Sequence, residues 1–255
     1  MGLASSAQNT RRLGLDELKE PFSKRKPRFS EEMILDCLRV LESGDPDSLF
    51  EILPRLGVIR DPRFNEHLLR LLGHDDVKKR EFAAYAMGAI GSQEFLEPLK
   101  KAFTSAEHGR EFGGEECLQA VIEAVGAIGD DAAVDFFLPI LKGQPEGKKG
   151  SVKLRKWIVE SLGTIAQQGG EGSLQALLEL THHKDPETRA LALAELAVAY
   201  WHRPNEIANS TLNRIHELIE DRTPVVAESA LAALQNLADV GCRRAEDLFS
   251  AQARK

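Results

Sequence analysis

From residue 45 to residue 253 the apolar side chains fall at helical intervals. Phe64, Leu68 and Leu71 share one face, as do Phe95, Leu99 and Phe103, and Val134, Phe137, Leu138 and Leu141. Spacings of three and four set such residues along one stripe, so each run predicts an amphipathic α-helix with one buried side. Nothing reads convincingly as a strand. The polar positions supply the punctuation. Asp45-Pro46, Asp75-Asp76, Gly114-Glu115, Ser151, Asp185-Pro186 and Thr223-Pro224 mark helix starts. Asp, Ser or Thr at an N-cap accepts a backbone N–H, and Pro fits the first turn. Arg60-Asp61-Pro62, Gly91-Ser92, Gly129-Asp130-Asp131 and Gly169-Gly170 mark short breaks between paired helices.

The pattern repeats. LGVI at 56–59, MGAI at 87–90, VGAI at 125–128 and LGTI at 162–165 align, followed by the degenerate LAVA at 196–199 and LQNL at 234–237. Their second positions lie 31, 38, 37, 34 and 38 residues apart. One helix pair of this length cannot bury its apolar face alone, and stacked neighbours complete the core. The predicted fold is therefore all-α: an α-α superhelix, a solenoid of about six helix-pair repeats. The units fall near 45–74, 75–113, 114–150, 151–184, 185–222 and 223–253, in a solenoid spanning 30–255. Residues 30–43 read as a capping helix at one end and residues 245–253 as the closing helix at the other. Residues 1–29 read as a basic tail, either flexible or a docking arm.

Two repeat-equivalent positions stand out. Gly57, Gly88, Gly126 and Gly163 share the second anchor position, where Ala197 is also small. A glycine in mid-helix costs about 1 kcal/mol relative to alanine, so its recurrence predicts a neighbouring helix packed too close for a side chain. Arg80, Arg155 and Arg189 each stand eight residues before that position, where the other units have Leu49, Leu118 and Ala227. Pairing with acidic residues of a neighbouring turn is one reading of these arginines, and solvated surface charge is the other.

Composition agrees with packed helices: 42% hydrophobic and 29% charged residues, but only 6% aromatic. The net charge of -7 is uneven. Residues 1–30 carry seven Lys/Arg against three acids, which leaves the other 225 at -11. An acidic body does not suit nucleic-acid binding, which needs Lys and Arg to displace counterions. Cys37, Cys117 and Cys242 are odd in number and widely separated, as for free thiols in a reducing compartment. No apolar run reaches the roughly 18 residues of a membrane span, and the N-terminus has no signal-peptide core. A cytoplasmic protein without a membrane partner is expected. The start MGLASS fits the acylation pattern at Gly2 and Ser6, ahead of a basic segment. A disordered start is the plainer account.

The segment 75–91, with FAAYAMGAIG at 82–91, and EAVGAIGD at 123–130 resemble short HEAT-like repeats of the kind found in bilin lyases of the phycobilisome. The resemblance covers residues 45–245. It implies a right-handed superhelix with second helices on the concave face. It fits adaptors more often than enzymes and carries no catalytic residue onto this chain.

Chemistry finds little support in the sequence. No histidine pair has H-E-x-x-H spacing and no cysteine pair has zinc spacing, so neither metal nor cofactor is expected. Iron hydroxylases that modify deoxyhypusine are built on similar repeats with several His-Glu dipeptides, whereas this chain has one, His216-Glu217. The Gly-rich stretches at 143–150 and 169–172 match no phosphate loop. No catalytic residue is assigned.

Partner contacts are expected at three places. Extra residues at 104–114 and 143–150 would lie on one edge and contain His108, Arg110, Phe112, Lys148 and Lys149. Second-helix residues Asn65, Arg70, Glu97, Lys100, Lys101, Asp135, Gln175 and Arg214 point away from the apolar stripe and could form a groove. Trp201, beside His202 and Arg203, is an aromatic candidate on the opposite edge. The sequence thus reads as a non-enzymatic protein-binding scaffold, adaptor or assembly factor of unknown partner. A phycobilisome bilin lyase or lyase-like chromophore handler is the alternative.

Overall fold

The computed structural model describes residues 29–108, 114–143 and 149–252. Among them are thirteen α-helices, two short 3-10 turns and no strand. In chain order the helices are α1 (Glu31–Ser43), α2 (Pro46–Ile59), α3 (Phe64–Leu72), α4 (Val77–Ile90), α5 (Leu96–His108), α6 (Gly114–Ile128) and α7 (Asp131–Gly143). They continue with α8 (Lys149–Gln167), α9 (Glu171–Leu180), α10 (Pro186–Ala199), α11 (Asn209–Leu218), α12 (Pro224–Asp239) and α13 (Arg243–Gln252). No helix among the described residues is long and apolar enough to cross a membrane. The basic tail at 1–28 lies outside the described residues.

The capping grammar explains most of the boundaries. Ser30, Asp45, Asp76 and Asp185 each accept a first-turn backbone N–H through their side chains. At the other ends, Gly44, Arg60 and Gly91 take the left-handed conformation and return an N–H to the last turn. Arg60 does so without glycine's freedom, and its Nε donates to the Gly57 carbonyl at 2.8 Å. Two expected boundaries shift. Ser151 is not a cap, because α8 already starts at Lys149. The extra residues at 104–114 and 143–150 are partly helical: α5 runs on to His108, and α8 takes in positions 149 and 150.

The helices stack in two layers as an α-α superhelix. α2, α4, α6, α8, α10 and α12 pack each against the next, and α3, α5, α7, α9 and α11 lie between them in the chain as a second layer. Each of α3, α5 and α11 packs mainly on the first helix of the following unit rather than on its own partner, while α7 packs mainly on α9. α1 joins this second layer, against α2 and α3, and α13 closes the far end on α12. One continuous buried cluster runs from Ile34 to Ala245.

The anchor glycines sit where successive first helices meet. A Cβ on Gly88 would stand 3.0 Å from Ala124 Cα, one on Gly57 3.0 Å from Ala89 Cβ, and one on Gly126 2.6 Å from Ser161 Cβ. On Gly163 it would fall on the Glu195 carboxylate. Close approach of the backbones therefore accounts for the glycines, because the tighter contact offsets their intrinsic cost. Side chains then tie the carbonyl ends of these helices to their neighbours. Gln93 donates to Ile128 O at 2.8 Å, Gln168 to Ala127 O at 3.3 Å and Arg203 to Ala166 O at 2.8 Å. Ala166 O also accepts from the Gly169 N–H at 3.1 Å, so these bonds join carbonyls at the helix ends to neighbouring units.

Candidate functional site

The three repeated arginines lie at the turns between units, Arg80 and Arg155 buried and Arg189 partly so, and do not behave alike. Arg189, on α10, donates through Nη1 to the carbonyls of His183 and Lys184 at 3.0 and 3.1 Å. Its Nη2 meets both carboxylate oxygens of Asp221 at 3.0 and 3.1 Å, in the next turn. Arg80, on α4, repeats the first half of this arrangement, with Nη1 on the carbonyls of His74 and Asp75. It also meets the Cys117 thiol. Pairing with an acid of a neighbouring turn therefore holds closely for Arg189 and, at 3.8 Å, for Arg155.

Arg155, on α8, departs from both. Its side chain is only 6% exposed, and its Nη2 stands 3.8 Å from Asp185, beyond hydrogen-bond reach. The carbonyls six and five residues earlier belong to positions 149 and 150. Here those positions lie inside α8, where the helix's own ladder takes up the carbonyls. The Nε atoms of Arg155 and Arg189 both lack a partner, but only Arg189 compensates through its Nη atoms.

Arg155 lies between two cavities. One, of about 300 Å³, is walled by Leu138 and Leu141 of α7 and Leu180 of α9, with Lys142, His183 and Lys184 also lining it. The other, of about 490 Å³, crosses α8, α10 and α12 over Val152, Val159, Leu191, Ala194 and Val225. Lys156, Asp185 and Glu187 give that groove its charge. A smaller cavity of about 210 Å³ forms between the ends of α1 and α3, lined by His67, Arg70, His74 and Lys79.

The residues singled out in the sequence scatter over these surfaces. Arg70 lines the small cavity and bonds the His67 ring at 2.6 Å. Asn65 donates to Glu94 through Nδ2, while its buried Oδ1 has no partner. Lys100 is largely covered: it pairs with Glu97 at 3.1 Å and lies over the Phe136 ring, itself edge-to-face with Phe103. Lys101, Asp135 and Gln175 are exposed. Arg214 points back into the fold, with Nη2 on Thr181 O at 2.9 Å and Nε on Thr181 Oγ1 at 3.2 Å, so it pins α11 to the end of α9. Trp201 is 49% exposed, and Arg203 lies over Tyr200. Arg110, Phe112 and Lys148 lie outside the described residues. Of His108 and Lys149 only the backbone is described: they end α5 and begin α8. No common site gathers the described members of the set.

Two further groups bear on the chemistry. The three cysteines are free and buried. Burial pushes the Cys117 thiol up to about 11 despite Arg80 beside it, which keeps it protonated and inert. Among the described residues no group of three His, Cys, Asp or Glu is placed to hold a metal ion.

Glu195 was not singled out in the sequence. It occupies a slot two residues before the anchor position, where the other units have Arg55, Ala86, Ala124, Ser161 and Ala233. The missing side chain of Gly163 makes room for its carboxylate. Burial, and then the charge of Glu160, raise its pKa to about 7. A carboxyl raised in the folded state contributes stability below its unfolded pKa and loses it as pH rises through the folded value. Glu195→Gln, a neutral near-isostere, should therefore melt like the native chain at pH 4 and above it at pH 8. The gain should be about 1–2 kcal/mol, less than the full shift because solvent still reaches the group. Thermal scans at the two pH values check this, and equal melting at pH 8 refutes it.

Comparison of the chain with protein-family models and with curated proteins returns no match.

Proposed function

We propose that this chain is a non-enzymatic protein-binding scaffold, an adaptor or assembly factor of HEAT-like repeats, and that a partner docks on the first-helix layer. The observation that carries this reading is the groove across α8, α10 and α12. Three consecutive units are needed to form it. Its apolar floor is bordered by charges of both signs, as a protein segment requires. Val198 on α10 and Leu231 on α12 add exposed apolar surface on the same helices, at 42% and 38% exposure. The well-bonded polar groups described above join helix to helix rather than converge on one reacting atom. A reducing cytoplasmic setting fits three buried free thiols.

Ala194 is exposed in the groove, so Ala194→Arg tests the reading with little effect on the fold. The variant should melt like the native chain. It should lose by tenfold or more the protein that native chain captures in its source cells, measured by quantitative mass spectrometry after crosslinking. Equal capture by both proteins, or a substrate turnover that the substitution abolishes, overturns the proposal.

A further inference from the structure

We propose that the cavity between the ends of α7 and α9 binds a carboxylate carried on a short apolar stem, with Arg155 as its main contact. This goes beyond the scaffold reading, because it concerns a different cavity and a different ligand chemistry. Its volume of about 300 Å³ is at the small end for ligand pockets, which run roughly 300–1,000 Å³.

The first argument is the state of Arg155. A buried guanidinium is expensive unless paired and hydrogen-bonded. Arg189 and Arg80 meet that requirement through turn carbonyls and a cross-unit partner. Arg155 is as buried as Arg80, yet its Nε is unpartnered and its carboxylate neighbour stands 3.8 Å away. It lines the cavity beside α9, so an entering anion would give its Nη groups the acceptor that Asp185 stands too far away to supply. The repeat offers a control: the cavity between α1 and α3 is similarly placed, but its unit carries Leu49 where this one has Arg155.

The second argument is charge and shape. Lys142, Arg155 and Lys184 outnumber Glu179 among the lining residues, so the wall has a basic side. A carboxylate on an apolar stem matches both that side and the apolar one, whereas a phosphate, with nearly two negative charges at neutral pH and no stem, matches the basic side alone. Leu138, Leu141 and Leu180 offer the stem an apolar wall. A small organic acid and the free carboxyl end of a peptide both present this chemistry.

Titration of the full chain by amide NMR tests the site with hexanoate, acetyl-Ala-Leu, its C-terminal amide and inorganic phosphate. Saturable shifts at Leu141, Leu180 and His183 with a carboxylate are expected at millimolar concentrations. Tighter binding of hexanoate identifies a small acid, and tighter binding of acetyl-Ala-Leu identifies a chain end; each supports the site. Arg155→Met should weaken binding about tenfold or more while melting at or above the native chain, because it removes a buried charge that is only loosely paired. Lys142→Gln, at an exposed position, should weaken it about threefold. The proposal is overturned by no saturable shift with either acid. Binding of the amide or of phosphate as tight as the acids also overturns it, as does unchanged affinity in Arg155→Met. If Arg155→Met melts well below the native chain, Lys142→Gln decides: unchanged binding there overturns the site and reduced binding supports it.

Discussion

Replacing Gly126 by leucine is expected to lower the melting temperature by about 6–12 °C. At that position a Cβ alone would stand 2.6 Å from Ser161 Cβ and 3.0 Å from Ser161 Cα. The obstruction is in part backbone, so no rotamer change relieves it, and α6 must move away from α8. Overpacking of this kind costs roughly 1–3 kcal/mol or more. The upper end applies here because the displaced contact belongs to the continuous first-helix stack. In a chain of this length each kcal/mol moves the midpoint by roughly 2–4 °C. Gly163→Ala gives the contrast. There the added methyl meets the far end of the Glu195 side chain, which can swing outward, so the loss should stay within about 0.5 kcal/mol. Equal losses in Gly126→Ala and Gly163→Ala, measured by calorimetry, would show that the seam does not discriminate backbone from side chain as argued.

Arg189→Ala should cost about 2–4 kcal/mol. The substitution strips donors from the carbonyls of His183 and Lys184 and leaves Asp221 without its cation, with only 14% of that carboxylate side chain exposed. Breaking a buried pair by removing one partner is far more damaging than replacing both. Arg189→Ala combined with Asp221→Ala should accordingly recover part of the loss. The pH dependence has a definite sign. Burial pushes the Asp221 carboxyl up, but the Thr223 N–H and Arg189 together outweigh it and hold it below its ordinary value. A depressed carboxylate contributes stability at neutral pH and loses it as pH falls through the folded value. Urea unfolding should therefore show a wide gap between native and variant at pH 7 that narrows toward pH 3. The two carbonyls keep the gap from closing. A gap that widens on acidification would refute this account.

The architecture was legible because it is written in repeated local signals. Anchor spacing gave the helix pairs, and Asp45, Asp76 and Asp185 gave their starts. Gly88 and Gly126 pointed to close stacking before any partner helix was known. Ser151 misled because a serine is as acceptable inside the first turn as ahead of it, and α8 extends back past it. That same extension separates Arg155 from its sister arginines. The repeated position was visible in the sequence, but the loss of turn carbonyls depends on where the helix begins. Arg214 looked outward by periodicity, and its bond to Thr181 bridges 33 positions that no local pattern connects. Glu195 could have been found by one signal: an acid at a repeat-equivalent slot that is small in four of the other five units.

The offset packing of the second layer has a consequence for how such a chain can be shortened or lengthened. Reading the sequence, the natural cut lies ahead of the anchor-bearing helix, near residues 45, 75 and 185. In three dimensions α3 belongs with α4, α5 with α6 and α11 with α12. A module excised from Phe64 to Ile90 carries the main contact of α3 with it, whereas one cut from Pro46 to Leu72 severs that contact and keeps a weak one. At these three units the natural unit of copying and deletion is therefore out of phase with the unit that the motifs announce.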